Sequence, residues 1–161
     1  MATDRSRINR NNRERGKDFE RKMADLLGFF RVPYSGAAAG YGEGDLRDAE
    51  DREKSLFLGE CKTITPRSQR EINYVLKRDW LVGDKGIVAR AKESGGKFPF
   101  LAFTRARSPL AFVVLRAEDF KLVVDLLRVL ERDGVIPKYT NVEALREWVA
   151  WALEGGDDDE A

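Results

Sequence analysis

The stretch Ser55-Leu56-Phe57-Leu58-Gly59-Glu60-Cys61-Lys62 is an apolar run that ends on an acid and a base two residues apart. Successive side chains on a β-strand alternate faces, so Leu56, Leu58, Glu60 and Lys62 share one face while Phe57 and Cys61 point to the other. The reading as a strand therefore places a carboxylate and an ammonium at the end of a buried surface. Burying such charges is unfavourable unless they pair or bind something. Asp45, at the end of a glycine-rich loop upstream, supplies a second carboxylate. A divalent cation held by Asp45 and Glu60 would neutralise both acids and leave Lys62 to face an anion such as a phosphate. An edge-strand ion pair closing a sheet is the alternative.

Acid-x-Lys by itself is a weak motif. With 28 acids and 10 lysines in 161 residues, chance alone produces it about twice. It occurs three times. Glu20-x-Lys22 and Asp119-x-Lys121 fall in helical patterns, where a spacing of two splays the side chains apart. Only Glu60-x-Lys62 stands on a strand, with its two groups on one face roughly 6.5–7 Å apart.

Composition narrows the chemistry further. Hydrophobic residues make up 42% and charged residues 35%, the balance of a globular, heavily charged chain. No run of 18 or more apolar residues and no signal-peptide pattern is present, so a cytoplasmic protein with no membrane partner is expected. A single cysteine rules out an internal disulfide and a zinc–cysteine cluster. The absence of histidine removes Ser-His-Asp and Cys-His nucleophiles, a histidine base and His-ligated metals. Carboxylates, lysine and a hard, oxygen-bound metal remain. The same charge-rich, histidine-free composition leans toward a thermophilic source.

The net charge of +1 conceals an uneven distribution. Residues 1–15 carry Arg5, Arg7, Arg10, Arg13 and Arg15 among Asn and Ser and read as a flexible basic arm suited to phosphate backbones. Residues 155–161 read as an acidic disordered tail. Between them, 16–154 reads as a single domain.

Phe19, Met23, Leu26, Leu27 and Phe30 recur at the spacing of one helix face over residues 16–30. Glu20 borders that face, and Lys17 is its candidate surface partner. The loop Ser35–Gly44 alternates glycines but lacks the Gly-Lys-Ser/Thr of a P-loop. A strand opens near Gly44-Asp45-Leu46, and the charged stretch Arg47–Lys54 reads as a hairpin turn into strand 55–63. Further strands are expected at 73–77, 98–104 and 110–115, with helices at 79–94, 118–131 and from a Thr140-x-x-Glu143 capping box to about 154. Trp148 and Trp151 read as core residues of that last helix. The order α-β-β-β-α-β-β-α-α predicts an α/β fold with a mixed central β-sheet flanked by helices.

At this point Glu20 on the first helix, Tyr34-Ser35-Gly36, Gly44-Asp45-Leu46 and Gly59-Glu60-Cys61-Lys62 together resemble the archaeal-type Holliday junction resolvases, a branch of the PD-(D/E)XK nuclease superfamily. The likeness covers about residues 13–130, and the helix at 134–154 is additional to it. It implies a restriction-endonuclease-like fold and a homodimer that nicks four-way, branched DNA in pairs with magnesium. In that scheme Asp45, Glu60 and the Cys61 carbonyl are metal ligands, Glu20 supports a second metal or its water, Lys62 orients the attacking water, and Ser35 contacts the scissile phosphate. Arg13, Arg15, Lys17, Arg67 and Arg70 are the candidate contacts to the DNA backbone. Another PD-(D/E)XK nuclease, restriction-type or end-processing, and a non-catalytic junction-binding protein are the alternatives.

Overall fold

The computed structural model describes residues 3–32, 44–65, 75–136 and 142–154. The chain divides into two compact units, Met1–Asp119 and Phe120–Ala161. The first holds α1 (Thr3–Leu27), β1 (Phe30–Arg31), β2 (Leu46–Arg47), β3 (Phe57–Ile64), α2 (Arg78–Leu81), α3 (Ile87–Glu93), β4 (Phe98–Arg105) and β5 (Ala111–Val114). Helix α4 (Ala117–Arg132) crosses the boundary, and α5 (Val142–Leu153) belongs to the second unit. No described helix is long and apolar enough to cross a membrane.

The five strands form one mixed sheet in the order β1-β2-β3-β4-β5. Strands β3 and β4 run parallel, from Phe57 opposite Phe98 to Ile64 opposite Arg105, and the other neighbours are antiparallel. The two faces of β3 go to different helices, as a period of two requires. On one face Cys61 packs with Leu46, Phe100 and Ala102 against Phe19, Met23 and Ala24 of α1. Phe29 extends this layer, 5.8 Å from the rings of both Phe57 and Phe100. On the other face Leu58 packs against Ile87 and Ala91 of α3. The expected α/β architecture, a mixed sheet flanked by helices, is present.

Several elements differ from expectation. Helix α1 begins at Thr3, where an irregular arm over residues 1–15 was expected; residues 6–15 lie on it, all exposed. Once the amphipathic segment has nucleated a helix, each further turn adds a hydrogen bond per residue fixed, even in a polar sequence. The helix stops at Leu27, and Gly28 takes a left-handed conformation (φ 65°). Phe29 therefore enters the core, while Phe30 and Leu26 are exposed. Residues 75–77 of the expected strand 73–77 have no regular structure. The expected helix over 79–94 is two helices, α2 and α3. Gly86 sits between them, and a Cβ there would fall 2.7 Å from the Leu81 carbonyl. Trp151 is half-exposed rather than part of a core. Asn73, Tyr74, Thr140 of the capping box, the loop at 33–43 and the tail at 155–161 lie outside the described residues.

Strand β2 is only two residues long, and aspartate side chains take over where it ends. At one end Asp48 Oδ1 accepts from the Phe57 N–H (2.8 Å) and the Ser55 hydroxyl (2.6 Å). At the other Asp45 Oδ2 accepts from the Cys61 N–H at 2.7 Å. Each carboxylate replaces the strand carbonyl that a longer β2 would have offered to β3. Close approach of the two strands depends on glycine. A Cβ at Gly44 would fall 2.4 Å from the Gly59 carbonyl oxygen, and one at Gly59 would fall 2.2 Å from the Phe100 ring.

Gly59→Ala is accordingly expected to destabilise the domain by about 1–3 kcal/mol through overpacking against the buried Phe100. Gly16, in mid-helix with open space around it, should behave oppositely. Gly16→Ala should stabilise by about 0.5–1 kcal/mol, and urea unfolding of the two variants checks both signs.

Burial raises the Asp48 pKa, but hydrogen bonds from Ser55 and the Phe57 amide outweigh it and hold the group below its ordinary 3.8. A carboxyl depressed in the folded state stabilises fully above its unfolded pKa and loses that contribution as pH falls through the folded value. The stability gap between wild type and Asp48→Asn should thus be widest near about pH 6 and shrink toward about pH 3, measured by denaturant midpoints.

Candidate active site

Glu60 and Asp45 are the acids that the sheet buries, each only 8% exposed. Asp45 stands immediately before the Leu46–Gly59 pairing of β2 with β3. Its N–H donates to the Gly59 carbonyl (2.6 Å), its carbonyl accepts from Val32 N–H (2.9 Å), and its carboxylate holds the Cys61 N–H. Backbone on both sides thereby fixes its position.

Glu60 is clamped by two cations. Its Oε1 accepts from Lys62 Nζ, the strand neighbour two residues on, and its Oε2 accepts from Arg90 Nη2 of α3 at 2.5 Å. Side-chain exposures of 11% for Glu60, 19% for Arg90 and 30% for Lys62 place this triad mostly out of water. There an ionised carboxylate is tenable only with such partners. Glu60 and Lys62 thus share a face as the strand period requires, and that face is the one covered by α3.

Glu20 lies on α1, where its Oε2 accepts from Arg31 Nη2 (2.9 Å) and Nε (3.3 Å). Lys17, the expected partner, is not the one it uses. Arg31 is opposite Leu46, which packs with α1, so Glu20 approaches β3 from the face opposite Glu60. Cys61 lies between them. Burial pushes its thiol pKa far up, the charges of Asp45, Glu20 and Glu60 push it further, and Lys62 opposes them. The thiol is a buried, protonated, small apolar group, as its inward-facing strand position implies.

Of the remaining candidates, Arg13, Arg15 and Lys17 are exposed on α1. Ser35, Arg67 and Arg70 lie outside the described residues. Arg90 was not among the sequence candidates. Its neighbours Ile87 and Ala91 mark the buried side of a helix, but that side reaches Glu60 only through the packing of Leu58 on α3.

The donors are hard oxygens, at the pair of acids where a divalent cation would bring the charge that Lys62 and Arg90 now supply, and they fit magnesium or manganese in kind. The arrangement is not yet that of a metal cage. Among the described residues no group of three or more acids, cysteines or histidines is placed to hold an ion. Comparison of the chain with protein-family models, curated proteins and solved structures finds no match.

With its thiol kept neutral, Cys61 should resist iodoacetamide in the native protein at about pH 8.5, where an ordinary thiol is half ionised, and react fully in denaturant. Mass spectrometry of both samples checks this, and native labelling would contradict the burial.

Proposed function

We propose that the protein is a metal-dependent endonuclease with a restriction-endonuclease-like fold that cuts four-way DNA junctions as a homodimer. The observation carrying this reading is the buried pair Asp45 and Glu60 at the junction of β2 and β3, with Lys62 in contact with Glu60. The junction substrate and the dimer come from the family resemblance, and a two-fold symmetric junction suits two symmetric sites.

Asp45 and Glu60, with the Cys61 carbonyl, would hold Mg²⁺ or Mn²⁺, whereas Glu20, paired with Arg31 on the opposite face of β3, stands apart from that pair. Such an ion, when bound, supplies Lewis acidity and a water of lowered pKa. The chain's own groups have separate tasks. Asp45 is positioned by its backbone and by the Cys61 amide, which fix where its carboxylate stands. Lys62 holds its ammonium at Glu60 Oε1. There it can orient an attacking water and stabilise charge on the phosphorane-like transition state. Arg90 fixes the Glu60 carboxylate from α3 through its Oε2.

A second reading, a junction-binding protein that does not cut, is favoured by the ion pairs that already satisfy Glu20 and Glu60.

Cleavage of labelled four-way junction and of linear duplex of the same sequence, with magnesium and with chelator, separates the two. Symmetric nicks in the junction alone, abolished by chelator and lowered on the order of a hundredfold or more in Asp45→Asn, are expected. Asparagine retains an oxygen for the Cys61 N–H, so the variant should fold, and circular dichroism checks it. Absence of metal-dependent cleavage by folded wild type would overturn the nuclease reading in favour of the binding protein.

A further inference from the structure

At the C-terminal ends of β3 and β4, on the face opposite Glu60 and Lys62, lies a cleft of about 260 Å³. Arg15 and Lys22 of α1, Thr63 of β3, and Arg105 and Arg107 from the end of β4 and the turn after it line it. Asp18 is the one acid in the lining, and its carboxylate pairs with Arg21 at 2.7 Å. The cleft therefore carries a formal excess of positive charge.

Three observations on this cleft are independent of one another. Arg15, Arg105 and Arg107 make no side-chain hydrogen bond or ion pair with the described residues, in a protein where Arg21, Arg31, Arg90 and Arg116 all hold carboxylates. The Thr63 hydroxyl is buried in the wall without a hydrogen-bond partner among the described residues, an arrangement that costs the fold stability. Arg107 is the only described non-glycine residue with positive φ, at 70°. Such strain persists where surrounding structure enforces it, and it concentrates at ligand sites. Here the enforcement is visible. Lys22 Nζ donates to the Pro109 carbonyl (2.7 Å), the Thr104 hydroxyl to the Leu110 carbonyl (2.7 Å), and Ser108 N–H to the Arg105 carbonyl (2.9 Å).

Convergent guanidiniums, a waiting hydroxyl donor and a braced turn are the elements of a phosphate site. We propose that this cleft is a second phosphate-binding subsite, which takes a phosphodiester of the DNA strand outside the one at Lys62. Lys62 and Thr63 are consecutive, so their side chains leave opposite faces of one strand end. A strand rounding the C-terminal end of β3 meets both, and ligands of open α/β sheets gather at the carboxyl ends of parallel strands. The identity of the polymer rests on the proposed nuclease reading; the subsite itself is tested without cleavage.

The test measures binding of a fluorescein-labelled four-way junction to the full chain by anisotropy, in chelator and over a salt series. Arg105→Ala/Arg107→Gly removes two guanidiniums, and glycine keeps the left-handed turn without steric penalty. It should bind about tenfold or more weakly, with a salt slope shallower by about one to two. Thr63→Val should bind several-fold more weakly yet melt at a higher temperature, a combination that a merely structural hydroxyl would not produce. Arg146→Ala, which removes a guanidinium paired with Glu143, serves as the charge control and should match wild type. Wild-type affinity and slope in the double variant, or unchanged affinity in Thr63→Val, would overturn the proposal. So would protection of the wild type against melting by inorganic phosphate, lost in the double variant while junction affinity stays intact, since the cleft would then take free phosphate instead. Binding that depends on these residues while wild type cuts nothing would leave the subsite standing and remove only the nuclease reading.

Discussion

A carboxylate carried into a protein interior must be met by opposite charge or by hydrogen-bond donors, and the neutralisation of Glu60 is the contact on which the site's geometry depends. Glu60 sits at the middle of the long strand β3, which runs parallel to β4. Lys62 meets it from the same strand and Arg90 from α3. Arg90 can do so only because Leu58, two residues before Glu60 on the same face, packs against Ile87 and Ala91. A patch of apolar contact thus sets the position of an ion pair. A carboxylate in such a place is costly without cations to meet it.

Asp45 is held by a different device. Strand β2 is cut to two residues, and the β3 amides left without a strand partner are met by the side chains of Asp45 and Asp48. Shortening a strand normally leaves its neighbour with unsatisfied donors. Here the shortage is what draws carboxylates to the strand ends, one on the structural hairpin and one beside Glu60. Gly44 and Gly59 permit the approach, since a side chain on either would collide with backbone or with Phe100.

The opposite face of β3 has another character. Glu20 and Arg31 pair there at the border of α1, and beyond them the cleft around Thr63 gathers arginines that the described carboxylates do not engage. One face thus holds Asp45 and Glu60 with two cations in place, and the other holds a cleft whose cations outnumber its described acid.

Much of this was legible in the chain because it is local. Alternation along Phe57–Lys62 identified a strand and placed Glu60 with Lys62 and Cys61 behind them, and β4, β5, α4 and α5 followed from apolar periodicity and turn residues. What escaped was either too short or too distant. Strand β1 has two residues and no periodicity to read, and the basic segment before Gly16 owes its helix to propagation rather than to an apolar stripe. Glu20 meets Arg31 across 11 positions and Glu60 meets Arg90 across 30, separations at which no local spacing rule applies. The chain by itself determined which groups share a strand face, since that follows from backbone geometry alone. Only the tertiary structure decided which charges neutralise which and where, among the described residues, a buried hydroxyl is left without a partner. Those outcomes depend on packing between elements that the local pattern does not encode.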